Sequence, residues 1–148
     1  MKKILISACL VGDNTKYDGT NNKSPFIKDL LEKYELVPFC PEVEGGLKIP
    51  RTPAEKQKDG KIINKKKKDV TKNYLLGAEK ACNICSYLGI EIAILKEKSP
   101  SCGVHQIYNG DFNGKLIEGE GTLTSALKRM GIKVISEEEI ESFLKEGK

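Results

Sequence analysis

The strongest pattern along the chain is a series of short apolar runs, uncharged or nearly so, separated by stretches with helical period. Residues 3–8 (KILISA), 35–39 (ELVPF), 90–95 (IEIAIL) and 132–135 (IKVI) read as strands buried on both faces, the signature of a parallel sheet covered by helices. After the first strand, Ser24-Pro25 opens a helix with an N-cap and a first-turn proline, and Phe26, Ile27, Leu30, Leu31 and Tyr34 form its apolar face. Residues 71–88 read as a long amphipathic helix, capped by Asp69 or Thr71 and ended at Gly89. Its stripe runs through Leu75, Ala78, Ala81, Cys82, Cys85 and Leu88. Residues 122–130 predict a helix ended by Gly131, and 137–145 a closing helix. Residues 40–70 hold no helical period and are broken by Pro41, Gly45-Gly46, Pro50 and Pro53, with a hairpin expected around Asp59-Gly60; small strands are expected at 106–108 and 115–117. This alternation predicts an α/β fold. We expect a single-domain three-layer sandwich over residues 1–148, with a short, mainly parallel, Rossmann-like sheet of about four strands and a hairpin and loop insertion.

Composition narrows the function classes. A chain of 148 residues with 39% hydrophobic positions can close a core without disulfides or a structural metal. At 31% charged residues, with no apolar run near the ~18 positions of a membrane helix, membrane-spanning, collagen-like and disordered classes are excluded. The net charge of +4 names no partner, and the absence of Trp argues against a stacking platform for single strands. Met1-Lys2-Lys3 followed by an apolar stretch and Cys9 mimics a lipoprotein signal, but Ser7 interrupts that stretch and it falls short of the ~7–15 residues a signal needs. A cytoplasmic location with reduced thiols is therefore expected, for a monomer or small homo-oligomer. Four consecutive lysines, residues 65–68, read first as a solvated hairpin edge and second as a phosphate or RNA contact.

Five cysteines are present, and their placement carries the chemistry. Cys9 follows the first strand, Cys40 follows the second, and Cys102 lies a few residues past the third, in Ser99-Pro100-Ser101-Cys102-Gly103. Ligands of an open parallel sheet bind beyond the carboxyl ends of its strands, so three strands deliver three thiols to the same edge. Each cysteine alone would pass for a small buried hydrophobe. All three at one functional edge point to a shared site, and three soft donors without a histidine cluster point to zinc or an iron–sulfur cluster. A four-iron cluster held by three cysteines leaves one iron free for a substrate. Cys82-x-x-Cys85 is read differently: both lie on the apolar stripe in mid-helix, away from the helix N-terminus that would activate a redox pair.

Glu42, two residues after Cys40, is a candidate proton-transfer carboxylate. Ser99 and Ser101 flank Pro100 as hydrogen-bond donors to a substrate or cluster, or as turn caps. Arg51, framed by Pro50 and Pro53, suits recognition of an anion or carbonyl, and Lys16, Tyr17 and Asp18 sit in the first loop as substrate contacts or turn residues. His105 is the sole histidine and shows no partner; Gly119-x-Gly121 is half a phosphate loop, whose following helix start offers N–H groups to an anion.

Taken together, Ser7-Ala8-Cys9-Leu10-Val11-Gly12 with Tyr17-Asp18-Gly19, Cys40-Pro41-Glu42-Val43 with Gly45-Gly46-Leu47, Pro50-Arg51 and Pro53-Ala54-Glu55, Asp69-Val70-Thr71 with Gly77-Ala78, and Leu95-Lys96-x-x-Ser99-Pro100-Ser101-Cys102-Gly103 with Ile107-Tyr108 resemble a bacterial domain family, long of unknown function, that includes the iron–sulfur thiouracil desulfidases. The resemblance implies a four-iron, four-sulfur (4Fe-4S) cluster bound by Cys9, Cys40 and Cys102. It implies non-redox desulfuration of a thiolated pyrimidine, a 2- or 4-thiouracil-like base or nucleoside. The thiocarbonyl sulfur binds the open iron, and oxygen from water replaces it. Glu42 matches the family's proton-transfer carboxylate and Ser99 its active-site serine. Lys16, Lys48-Ile49 and Thr52 depart from the commoner Arg, Pro-Thr and Pro, all near the expected mouth of the site. Two other functions share the motif set: a zinc- or cluster-binding sensor or structural module, and an enzyme that inserts sulfur into its substrate.

Overall fold

In the computed structural model, which describes residues 1–146, β1 (Lys2–Ser7) is the central strand. It pairs in parallel with β2 (Tyr34–Phe39) on one side and β5 (Ile92–Leu95) on the other, and β8 (Lys133–Ser136) completes the order β2-β1-β5-β8. The register sets Leu5 between Val37 and Ala93. Because strand side chains alternate, Leu5, Ala93 and Leu95 face one layer while Ile4, Ile6, Ile94 and Ile135 face the other. The first layer holds α3 (Thr71–Leu88) and α4 (Thr122–Arg129), through Ala78, Ala81, Cys85, Leu123 and Leu127. The second holds α1 (Ile27–Leu31) and α5 (Ile140–Glu146), through Ile27, Leu30, Ile140 and Phe143. Helices on both faces explain why Ile4 to Ile6 of β1 and Ala93 to Leu95 of β5 are apolar at successive positions, and the expected three-layer architecture is observed. Pro38 falls on β2, an edge strand, where a missing N–H breaks no ladder on its open side.

Two hairpins stand outside the sheet: β3 (Ala54–Lys56) with β4 (Ile62–Asn64), turning at Asp59-Gly60 as expected, and β6 (Gln106–Tyr108) with β7 (Leu116–Glu118). The run 65–68 is an exposed turn, where Asn64 Oδ1 accepts the N–H groups of Lys66 and Lys68. No helix among the described residues is long and apolar enough to cross a membrane.

Several local expectations need correction. The region 40–70 does contain a helix, α2 (Pro41–Glu44), with Cys40 at its N-cap; four residues are too few to show a period. The first helix begins at Ile27, not beside Ser24, although Ser24 Oγ accepts the Phe26 N–H. Leu75 is 54% exposed, and the inward stripe of α3 starts one residue earlier at Tyr74, then runs through Ala78, Ala81 and Cys85. Cys82 packs half-buried at its edge. The closing helix opens with a 3-10 turn, Glu137–Glu139, fixed by a capping box between Ser136 and Glu139.

Two glycines allow α2 to lie directly on α3. A Cβ on Gly77 would stand 2.0 Å from the Pro41 carbonyl oxygen, and one on Gly45 would stand 2.0 Å from that of Asn73. Asn73 Nδ2 donates to the Gly45 carbonyl at 2.8 Å across the same contact. In an open helix Gly→Ala gains about 1 kcal/mol. Here the clash reverses the sign, and Gly77→Ala is expected to lower stability by about 2 kcal/mol. The check is urea unfolding beside Tyr87→Ala, whose parent side chain is 89% exposed and whose loss is expected to change stability by less than about 0.5 kcal/mol.

Candidate active site

Three strand ends open onto one cavity of about 560 Å³. Beyond β1 the chain winds into a 3-10 turn, Ala8–Val11, that ends at Gly12 in the left-handed region (φ 103°) and carries Cys9. Beyond β2, Cys40 caps α2, which aims Glu42 back over the sheet edge. Beyond β5 a longer loop brings Cys102, buried, to the same cavity. Cys9, Cys40 and Cys102 all line the cavity, as the strand positions predicted, and none of the five cysteines is bridged. Burial pushes all three thiols up from their ordinary values, Cys102 most strongly. Weak polar contacts oppose it. Asn22 Nδ2 donates to Cys9 Sγ at 3.6 Å, and Ser101 Oγ lies 3.5 Å from Cys102 Sγ.

The Cys102 loop is built around one carboxylate. Glu97, 2% exposed, accepts N–H bonds at Oε1 from Val104 (2.7 Å), His105 (2.8 Å) and Gln106 (3.1 Å), with Lys98 at 3.4 Å. Burial alone would raise this carboxyl, but the converging N–H groups outweigh it and hold the pKa below its ordinary 4.5. Ser7 Oγ accepts the Lys96 N–H at 2.9 Å, which ties the same segment to the end of β1. From the other side, α4 closes on the loop: Thr122 N–H donates to the Pro100 carbonyl and Leu123 N–H to that of Ser101. The start of α4 is thus occupied by loop carbonyls and not free for an anion. Gly121 is needed because a Cβ there would meet the Ser101 carbonyl carbon at 2.3 Å.

Ser99, Ser101 and Glu42 form a directional chain. Ser99 Oγ accepts the N–H groups of Ser101 (3.1 Å) and Cys102 (2.8 Å), so both its lone pairs are engaged and its proton points to Ser101 Oγ, 2.9 Å away. The Ser101 hydroxyl in turn donates to Glu42 Oε1 at 2.8 Å. Glu42 Oε2 faces Arg51 Nη2 at 3.8 Å, and that nitrogen donates to the Thr15 carbonyl at 2.9 Å. Both side chains of this ion pair are nearly buried, so solvent screens them little. Ser99 lines the cavity with Glu42 and Arg51, whereas Ser101 lies behind them, 1% exposed.

Of the first-loop residues, Lys16 and Tyr17 line the cavity, and Asp18 turns into its own loop to accept the Thr20 N–H. His105 is not partnerless: its Nε2 lies 2.7 Å from Glu139 Oε1, on the surface, and this neighbour raises its pKa. Sequence reasoning missed Tyr74, which lines the cavity near Glu42, Arg51 and the thiols and whose hydroxyl burial pushes well above its ordinary range. It also missed the organising roles of Glu55 and Glu97, since a carboxylate's bonds to backbone N–H groups leave no trace in spacing.

The donor set suits a soft, multi-atom group. Three thiols share the cavity, but among the described residues no three His, Cys, Asp or Glu side chains are gathered closely enough for a single metal ion. Arg51 Nη1 is buried with no partner among the described residues, beside Cys40, where a negatively charged thiolate-bound cluster would give it one.

A shallow parallel sheet with a cysteine loop at each of three strand ends defines the class, and comparison with known proteins gives the family. The profile of the 2-thiouracil desulfurase family matches residues 4–139, and the chain belongs to that family. It is 39% identical over 150 residues to a Bacillus subtilis (strain 168) protein described as "Uncharacterized protein YbbK", spanning 95% of this chain and 99% of that one. Among solved structures it is similar to the 4Fe-4S-dependent thiouracil desulfidase TudS, with a TM-score of 0.90 and 43% identity, over 96% of this chain and 95% of that one.

The Glu97 anchor makes stability depend on pH. A carboxyl whose folded pKa is depressed contributes stability above its unfolded value, near 4.5, and loses it as pH falls through the folded value. Glu97→Gln keeps an acceptor oxygen but cannot ionise. It is expected to fold at pH 7 with reduced stability and to show a flatter loss of stability between about pH 5 and 3, measured by urea midpoints across that range. An unchanged acid limb would remove Glu97 as its source.

Proposed function

We propose that this protein is a cluster-dependent desulfidase that converts a thiolated pyrimidine, 2- or 4-thiouracil-like base or nucleoside, into the corresponding oxo-pyrimidine with water as the oxygen source. The observation that carries this reading is the convergence of Cys9, Cys40 and Cys102 on one cavity whose wall also presents the Ser99–Ser101–Glu42 chain. Family membership and the likeness to TudS support it. Cys9, Cys40 and Cys102 would hold a 4Fe-4S cluster, which when bound supplies an iron without a protein ligand, a soft Lewis acid toward a thiocarbonyl sulfur.

The chain's own residues handle orientation and protons. The overall change is C=S plus water to C=O plus hydrogen sulfide, so two protons leave the water oxygen and end on sulfur. Glu42, with its Oε1 accepting from Ser101, takes the two protons of the attacking water one after the other and delivers each to the departing sulfur. Ser99, on the cavity wall and fixed by two N–H groups, donates its proton to Ser101 and so keeps the Ser101 hydroxyl aimed at Glu42. Arg51 holds the second carboxylate oxygen and the Thr15 carbonyl, which keeps Glu42 from swinging out. Lys16 and Tyr17 border the mouth as substrate contacts, with Asp18 shaping their loop.

The test is anaerobic reconstitution with iron and sulfide, followed by assay of uracil and sulfide released from 2-thiouracil. Equal amounts of the two products are expected, without a sulfur donor or nucleotide. Cys9→Ser, Cys40→Ser and Cys102→Ser are each expected to lose most bound iron, while Cys82→Ser and Cys85→Ser keep it; equal loss from the second pair would overturn the ligand assignment. Glu42→Gln is expected to retain iron and lose turnover by about 10²–10⁴-fold. An active Glu42→Gln protein would take Glu42 out of the mechanism.

A further inference from the structure

One cavity residue has a conformation that packing does not explain. Phe112 sits at the tip of the β6–β7 hairpin with φ 52°, in the left-handed region that a bulky side chain rarely occupies. Gly110 (φ 96°) and Gly114 (φ 77°) take up the turn on either side, so the backbone could have placed a glycine here as well. Phe112 is half-buried and lines the cavity, yet it packs into none of the three apolar clusters formed by the described residues.

A second buried carboxylate holds it there. Glu55, on β3 and 9% exposed, accepts at Oε1 the N–H of Gly110 (2.9 Å) and that of Phe112 (3.2 Å). Gln57 Nε2 donates to the Gly110 carbonyl at 3.0 Å and ties the same tip to the β3–β4 hairpin. Two hairpins outside the sheet are thus clamped together at the point where the ring meets the cavity. Strained backbone maintained by surrounding structure marks a functional position, and an aromatic face against a cavity takes a flat ring.

We propose that Phe112 is the stacking wall for the substrate's heteroaromatic ring and sets selectivity for planar over puckered thiocarbonyl compounds, with Glu55 as its positioning residue. This rests on the pyrimidine reading above and adds the residue that recognises the ring. No earlier feature requires it: Glu42, the serines and Arg51 address hydrogen-bonding groups that saturated analogues share.

The experiment uses the reconstituted holoprotein with 2-thiouracil and 5,6-dihydro-2-thiouracil, which carry the same polar groups on a planar and a puckered ring. Wild type is expected to show the lower KM for the planar compound. Phe112→Leu is expected to raise that KM about tenfold with kcat within about twofold, abolishing the preference, and Phe112→Trp to restore it. Phe112→Gly suits the left-handed backbone, so it is expected to show the same KM rise without a drop in Tm, which separates lost stacking from lost folding. An unchanged KM in Phe112→Leu, or an equal rise for both compounds, would overturn the proposal. Should wild type turn over neither compound, nor 4-thiouracil or 4-thiouridine, the desulfidase reading fails. Calorimetric binding of uracil against dihydrouracil then judges the wall separately: a preference lost in Phe112→Leu supports it, and equal affinities refute it.

Discussion

Parallel pairing of β1 with β2, which sets Ser7 beside Phe39, fixes where two of the three thiols leave the sheet. Two residues past Ser7 is Cys9, and one past Phe39 is Cys40. Ser7 also accepts the Lys96 N–H, so the end of β1 is bonded to the start of the loop that carries Cys102. A one-residue slip of that register would turn every side chain of the strand to the opposite face and part the two cysteine turns. The slip is resisted by Leu5 on one face and Ile4 and Ile6 on the other, all fully buried. The apolar core and the polar site are therefore held by one strand.

The loops beyond the strands have too little apolar content to order themselves, and buried carboxylates do it instead. Glu97 gathers N–H groups within the Cys102 loop, and Glu55 those of the β6–β7 tip. Both are buried negative charges, and each is tolerable because N–H dipoles converge on it. Glu42 differs: one of its oxygens meets a hydroxyl and the other a guanidinium, both on side chains. It is the one carboxylate of the three held by side chains instead of converging backbone N–H groups.

The sheet was legible because residues such as Ile4, Ile6, Ala93 and Ile94 make runs that only a strand covered on both faces explains. The arrival of Cys9, Cys40 and Cys102 at one cavity was legible for the same reason, since strand ends fix which edge they reach. Less was visible where an element is short or a role depends on distant backbone. Four residues of α2 carry no period, and its seat against Gly77 lies 36 residues downstream of Pro41. Tyr74 was hidden by Leu75, whose apolar side chain faces solvent. His105 finds Glu139 only after β8 is added beside β5, and the Gly119-x-Gly121 signal proved to mark a close approach of α4 to the Ser101 carbonyl.

We propose above that Cys9, Cys40 and Cys102 would together hold one cluster that leaves an iron open to the pyrimidine. Mössbauer spectroscopy of protein reconstituted with ⁵⁷Fe, before and after 2-thiouracil, addresses it most directly. About four irons and four acid-labile sulfides per chain are expected, with about one quarter of the iron signal changed by the ligand and the rest unmoved. Tightly bound zinc without sulfide, or a cluster spectrum indifferent to 2-thiouracil, would contradict it.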